Sequence, residues 1–437
     1  MNQEVAVSQS DRTPASPATR YYLLALLTLA YAFAHIDRSI VSVLLPSIKH
    51  EFGVSDTALA FLSGLAFVIF FILLGIPIAV WADKGSRRNI IALSIALWSV
   101  MTALCGAAAS FVQLVLARIG VGVGEAGLTP ATHSILSDLF PPKERAFAMG
   151  IYSAGVYIGL LLGLSMGGYL AQHLGWRETF VIAGLPGLAV AVLLRLTISE
   201  PQRGHRDDSL SAIDSYPKLG EVLRYLWQTR AARFTFLGIA FCAMSTQTQA
   251  VWLPSFLVRS HHLSITMAGV MLGTAAGIGG AIGTIGGGRL SDFLGTRDER
   301  WRLWIVTVAM LLAPVCFLSV LFVQNITLLA ITMTLGAMFS AVHLAPTSAV
   351  IQNLTPLRMR ARAAALAIFM INLLGLGAGP LIVGRLSDHL RPVFGDDSLR
   401  YALTPVILFA LISAAIYFIA GKRLGEHAGR TAQIRRV

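Results

Sequence analysis

Cysteine and acidic side chains are scarce in this chain, and each scarcity closes off a class of proteins. Only Cys105, Cys242 and Cys316 occur in 437 residues, each far from the next, which excludes a disulfide frame and a thiolate metal centre. Charged residues make up 13% of the sequence, about half the share of a soluble globule. No His-Glu-x-x-His, no Gly-x-Ser-x-Gly and no supported cysteine–histidine arrangement is present, so hydrolase chemistry has no starting point and no enzyme is expected. Strand-like alternation is missing too, which excludes a membrane barrel. Residues 1–20 are polar, without an apolar core or small-residue cleavage site, so no removable leader is expected.

Apolar sequence fills the space those residues leave. Hydrophobic residues reach 55% and mean hydropathy is +0.70. About twelve apolar runs recur, at 21–48, 58–82, 89–109, 111–136, 147–172, 178–198, 232–258, 265–290, 302–324, 326–352, 363–388 and 400–421. Each is long enough to cross a hydrocarbon core of about 30 Å as a helix. The expected architecture is an all-α membrane protein: a tail (1–20), a six-helix bundle (21–198), a linker (199–231), a second six-helix bundle (232–421) and a tail (422–437). Residues 219–227 of the linker have the pattern of a surface amphipathic helix. The net charge of +12 is not a nucleic-acid signal, because most bases fall in alternate loops and the tails. Lys84, Arg87, Arg88, Lys143, Arg145, Arg297, Arg300 and Arg302 mark one side, against Lys49, Arg177, Arg259, Arg391 and Arg400 on the other. That asymmetry places both termini in the cytoplasm of a bacterial inner membrane.

The two halves repeat. Pro130 matches Pro346 at 346 − 130 = 216, "PPKERAFA" matches "PLRMRARA" at 356 − 141 = 215, and "GYLAQHL" matches "GRLSDHL" at 384 − 168 = 216. Asp83 pairs with Asp292 at 292 − 83 = 209. A parallel six-plus-six repeat implies two bundles about an axis along the membrane normal, with the substrate between them near the midplane.

Two acid–base sets interrupt the apolar runs: Asp37-Arg38 in the first, and Arg118 with Glu125 in the fourth. A charge at the bilayer centre costs about 2.5–3.5 kcal/mol even on lenient scales, so such residues mark a substrate or ion path by default. Arg118 and Glu125 lie two turns apart on one face, roughly 10.5 Å along the axis, too far to pair with each other. Each therefore needs a partner from another helix. A cross-paired set, with Glu125 near Arg38 and Asp37 near Arg118 or sharing a proton with Glu125, would tolerate burial. The competing reading is a structural salt-bridge cluster, but buried pairs stabilise poorly against apolar packing. Burial raises a carboxylate's proton affinity and a nearby arginine lowers it. Withdrawing the arginine would let the carboxylate take up a proton, a physical route to coupling. Glu125 is the first candidate proton carrier and Asp37 the second. Arg38 is assigned to the anionic part of the substrate, and Arg118 mainly to holding the carboxylates.

"ADKGSRR" after the second run, "RIGVGVGEAG" in the fourth and "GLLLGLSMGG" in the fifth resemble motifs of the major facilitator superfamily. Ala79 and Ser86 replace usual glycines, and Leu164 replaces the proline of the exporter pattern. "HIDRSIVSVLLPSIKHEFGVSD", "GVGEAGLTPATHS" and "FPPKERAFAMGIYSAGVYIG" look most like the Spinster branch. That resemblance implies a proton-coupled transporter of lysophospholipids or sphingoid lipid phosphates, working by alternating access. A neighbouring branch of organic-anion symporters shares the Asp-Arg and the Gly-x-x-Glu-Ala, and is the alternative. A sensor keeping the same fold would be expected to carry a long cytoplasmic extension. "GVGEAG" also fits a dinucleotide fingerprint, but it lies inside an apolar helix without a preceding strand, so its glycines are read as close-packing positions and no cofactor is expected. The glycine faces 155/159/163/167 and 269/273/277 are implied to meet between the bundles.

Asp83 and Asp292, ending the second and eighth spans with Arg87 and Arg88 beside the first, are gating candidates, since a carboxylate there can sit against a facing helix N-terminus. The second half is short of charge. Its candidate substrate wall comprises Phe241, Met244, Gln247, Trp252, Phe339 and His343, although a lone histidine is more often a satisfied core residue. Charge on one wall with aromatic, Met and amide groups on the other suits an amphiphile acting with protons, carried by a monomer in the bilayer.

Overall fold

The computed structural model describes residues 17–200 and 218–434. Twelve long helices run through them. The first bundle comprises α1 (Pro17–Phe52), α2 (56–84), α3 (Arg87–Gly106), α4 (Phe111–Leu139), α5 (Pro142–His173) and α6 (Trp176–Thr197). The second comprises α7 (Arg230–Ser260), α8 (Ile265–Gly295), α9 (Trp301–Phe322), α10 (Ile326–Leu354), α11 (360–394) and α12 (Ser398–Ile434). Among the described residues ten stretches are long and apolar enough to cross a membrane, and the last of them, Leu357–Glu426, holds α11 and most of α12. The polar run Ser245–Gln249 dilutes α7, which is not among the ten. This is a multi-pass integral membrane protein.

Local chemistry fixes where the helices begin. Ser55, Ser86, Ser110 and Ser264 each accept from a backbone N–H of the following turn, at 3.1, 3.3, 3.3 and 3.1 Å. Asn325 does the same for α10. Such caps contribute about 1 kcal/mol each. Proline fixes where two helices break. Pro130 and Pro346 lack the N–H that would bond the fourth residue back, and the breaks fall after Glu125 in α4 and after Ala341 in α10. The repeat is thus visible as matched breaks, at 341 − 125 = 216. α12 runs on to Ile434, past the expected limit at 421, with an Arg423–Glu426 pair of 2.9 Å on its last turns. The linker helix Leu219–Gln228 buries Val222 and Leu226 and leaves Leu223 and Trp227 exposed, an amphipathic face at the expected place.

Within the first bundle α1 packs on α5, and α3 on α4 and α6; within the second α7 packs on α11 and α12, and α9 on α10 and α12. The bundles meet along three contacts, α2 against α11, α5 against α8 and α1 against α7. One apolar core runs continuously through the first bundle into the half of the second that lies away from the termini. The half of the second bundle nearest the termini has a core of its own, built on the linker helix, the start of α7 and the end of α12. The bundles are therefore joined at the end far from the termini and part toward the end that carries them.

The glycine faces differ from expectation. A side chain at Gly155, Gly159 or Gly163 would strike α1, within 2.8 Å of Thr28 O, 2.5 Å of Ala32 O or 2.8 Å of Ile36 Cα, and Gly167 faces Ile40. That stripe serves packing inside the first bundle. The seam with α8 uses Gly168 instead, whose absent Cβ would lie 2.7 Å from Ile265 O. Gly273 and Gly277 of α8 face Leu161 across the seam, as expected of them, at 2.8 Å (its O) and 2.6 Å (its Cβ). A small-residue stripe states that something approaches closely; it does not say which neighbour.

Candidate functional site

The break in α4 leaves Glu125 as the last residue of its first segment, and glycines bring that segment against its neighbours. A Cβ at Gly122 would lie 2.5 Å from Phe67 O of α2, and one at Gly124 would lie 2.6 Å from Trp98 N of α3. Both obstacles are backbone and cannot rotate aside. Their close approach sets the carboxylate of Glu125 opposite α1.

The four charges pair crosswise. Arg118 Nη1 donates to Asp37 Oδ2 at 2.8 Å, and Thr102 Oγ1 of α3 donates to the other oxygen at 2.6 Å. Arg38 reaches Glu125 Oε2 through Nε and Nη2, both at 2.5 Å. Adjacent helical residues point about 100° apart, so α1 can address the two ends of α4 with opposite charges. Asp37, Arg118 and Glu125 are 3%, 1% and 2% exposed, whereas the Arg38 side chain keeps 25%. Arg38 is thus the member of the set open to a ligand. Its guanidinium sits 5.0 Å from the rings of both Phe67 and Phe71 of α2, and that of Arg118 lies 5.6 Å from Phe67. Glu125 Oε1 and Arg118 Nε are buried with no hydrogen-bond partner among the described residues. Such an atom costs about 1–3 kcal/mol or more when it is charged, a cost removed by protonation, by water or by a ligand donor.

Sequence reasoning brought these four residues together but missed Thr102, Phe67 and Phe71. Phe67 and Phe71 are an i, i+4 pair in an apolar run, which reads as core, and a single threonine in a span carries no signal.

The second-bundle candidates divide. Trp252 is fully buried, with its N–H donated to Pro380 O at 3.0 Å, so it packs α7 on α11 and is closed to a ligand in this conformation. Phe241 turns its ring edge-on to Phe409 of α12 at 5.9 Å. His343 is 8% exposed and bonded to Ser340 O at 2.7 Å, a satisfied histidine at the break of α10. Phe241, Met244, Gln247 and Phe339 are only partly buried; they remain the candidates a ligand can reach.

The gating candidates also part company. The side chain of Asp83 lies outside the described residues. Asp292 is 80% exposed and pairs with Arg302 at 3.4 Å within its own bundle, so it meets a side chain and not a facing helix end. Arg87 is buried rather than a solvated loop base. It donates to Ser134 at 2.9 Å, to Glu200 at 3.1 Å and to Asp138, tying α3, α4 and the end of α6 together. Arg88 donates to Ile198 O at 2.8 Å. Glu200 also accepts from Ser86 Oγ and the N–H groups of Arg87 and Arg88 at 2.7, 3.2 and 2.9 Å. Partial burial opposes ionisation of Glu200, and these hydrogen bonds with the Arg87 charge outweigh it, so its proton affinity falls below the usual carboxylate value. A carboxylate on the first turn of α3 is also favoured by the helix dipole.

The family model described as Major Facilitator Superfamily matches residues 27–380, and a second match covers 235–433. The chain belongs to that superfamily. A bacterial homologue of the human lysosomal transporter Spinster, solved in an inward-facing, unoccupied conformation, superposes with a TM-score of 0.84 at 30% identity, covering 94% of this chain and 98% of that one. An MFS-type efflux pump of Mycolicibacterium smegmatis is 33% identical over 96% of this chain and 97% of its own. A sphingosine-1-phosphate transporter of Danio rerio is 24% identical over 90% and 82%. A Bacillus subtilis protein named for galactarate/D-glucarate transport is 27% identical over 64% and 67%. This superfamily member is therefore a transporter, and most like the Spinster branch.

Proposed function

We propose that this transporter is a proton-coupled carrier of an anionic amphiphile, a lysophospholipid or sphingoid lipid, working by alternating access. The observation that carries the proposal is the crosswise pairing with one member exposed. Arg38 is held by Glu125 yet keeps a quarter of its side chain open, and Glu125 keeps an unpartnered, buried oxygen. An anionic head group that takes Arg38 leaves Glu125 buried without its counter-charge, and burial then favours its protonation. Asp37 stays paired with Arg118 and Thr102 through this exchange, so it assists by holding α1 and α4 in register.

Phe71 beneath Arg38, with Met244 and Phe339 of the second bundle, supplies apolar surface for a chain. The sphingosine-1-phosphate relative supports a lipid phosphate, and the efflux-pump relative supports outward movement. With the termini cytoplasmic, as the charge distribution predicts, the end toward which the bundles part is the cytoplasmic one. The sugar-acid relative favours a second reading, an organic-anion:proton symporter using the same four charges.

Binding across an acyl-length series separates the two readings. Each buried CH₂ contributes about 0.8 kcal/mol, so affinity for a lysophospholipid should rise steadily with length until the cavity is filled. A flat series with displacement by a short sugar acid would overturn the lipid reading and leave the symporter.

A further inference from the structure

The linker helix (Leu219–Gln228) carries a wider apolar arc than the protein covers. Val222 and Leu226 sink into the core of the second bundle, while Leu219, Leu223 and Trp227 stay exposed, Trp227 at 64%. At about 100° per residue the two sets lie roughly 80° apart, so they form one continuous apolar face of which the bundle hides one edge. The helix cannot roll the other edge inward. Tyr225 Oη donates to the carbonyl of Leu354, the last residue of α10, at 2.8 Å, and Met359 of the following turn packs against the same core. That turn presents Leu357, 77% exposed, three residues beyond Leu354. Positive charge surrounds this face. Residues 218–233 and 355–362 hold seven Lys and Arg residues against the single acid Glu221. Arg224, Arg230 and Arg358 are exposed and make no ion pair among the described residues. Arg233 places its guanidinium 5.5 Å from the ring of Trp227.

We propose that this face is a docking surface for anionic phospholipids of the leaflet on the side of the termini, cytoplasmic by the charge distribution. Leu223, Trp227 and Leu357 enter the acyl boundary, and Arg224, Arg230 and Arg358 take the phosphates. Position argues for this occupant. Two residues after Gln228 the chain enters α7 at Arg230, so the exposed face lies at interfacial depth and not in open solvent. A tryptophan flanked by arginine at that depth is the composition of a membrane–water boundary. Charge argues for the head group. One acid among seven bases leaves the positive charge uncompensated, which favours an anionic over a zwitterionic lipid. The surface is separate from Arg38, which lies in the first bundle, and the two-chain lipid it takes is not the cargo.

Native mass spectrometry of the detergent-purified full chain, titrated with dioleoyl phosphatidylglycerol or dioleoyl phosphatidylcholine, tests this. The wild type should bind the first phosphatidylglycerol about tenfold more tightly than the first phosphatidylcholine. The combined variant Arg224→Gln/Arg230→Gln/Arg358→Gln should lose that preference and keep its binding of phosphatidylcholine. Trp227→Ser should weaken both lipids, since the apolar anchor serves either. Arg195→Gln removes an exposed base from the same side of the first bundle and should bind both lipids as the wild type does. Glycerol 3-phosphate in about tenfold excess over lipid should leave phosphatidylglycerol bound. Its complete displacement would mark a site for soluble anions and overturn the proposal. An unchanged preference in the triple variant, or an equal loss in Arg195→Gln, would overturn it as well. Equal binding of the two lipids by the wild type would also do so, and would leave the face to an acidic protein partner.

Discussion

The two bundles share an ancestry of shape and differ in chemistry. Both break their fourth helix at a proline, yet the residues at the repeat offset are unlike: Glu125 corresponds to Ala341 (125 + 216) and Arg118 to Thr334 (118 + 216). The first bundle holds a crosswise set of four charges in its interior, three of them buried; among the described residues, the ion pairs internal to the second lie at helix ends and loops, such as Arg302–Asp292 and Arg400–Asp397. Amides take their place in the second interior, with Gln249 bonded back to Ser245 of its own helix at 3.0 Å. A repeat can thus keep the hinge geometry in both halves while one half alone carries the charges suited to coupling.

Removing a charge from the first interior should have the largest structural effect. Arg118→Ala leaves Asp37 buried without its cation and should cost about 3–5 kcal/mol of stability, read by unfolding in detergent. Gln249→Leu in the second interior removes an amide whose oxygen has no partner among the described residues, and should be near neutral. Equal losses would break the contrast.

Close packing gives a smaller difference. Gly124→Ala drives a methyl into the backbone of Trp98 and should cost about 1–3 kcal/mol while displacing Glu125. Gly288→Ala in α8 meets only the Cβ of Ala345 at 3.3 Å and should change stability by less than about 0.5 kcal/mol. The smallest effect concerns Glu200, whose proton affinity is depressed from an ordinary value near 4.5. A depressed carboxylate contributes stability that is present above its unfolded value and lost as pH falls through its folded one. Unfolding of the wild type should therefore weaken below about pH 4 by under about 1 kcal/mol, and Glu200→Gln should flatten that part of the profile.

The spans, the repeat and the partners of Asp37 and Glu125 were legible because each follows from a local rule: run length, fixed offset, and the need of a buried charge for an opposite one. Other features were not. Lys49 and Arg259 read as ordinary loop-end bases, and nothing in the sequence shows that both bond the buried carboxylate of Asp56, one from each bundle. Arg87 read as a topology base or a gating residue and not as a buried tie, since its partners Asp138 and Glu200 lie 51 and 113 residues away. Trp252 looked suited to a cavity wall because aromatic residues in a polar helix face look alike until a neighbour such as Pro380 is placed.

The central claim, that Glu125 couples transport to protons, is tested most directly by comparing two fluxes in Glu125→Gln proteoliposomes. The account predicts that lysophospholipid movement driven by a pH gradient falls to the level of empty liposomes, while exchange between equal pools persists, because a neutral amide cannot release a proton but leaves the pathway intact. Gradient-driven flux at the wild-type rate in this variant would contradict it.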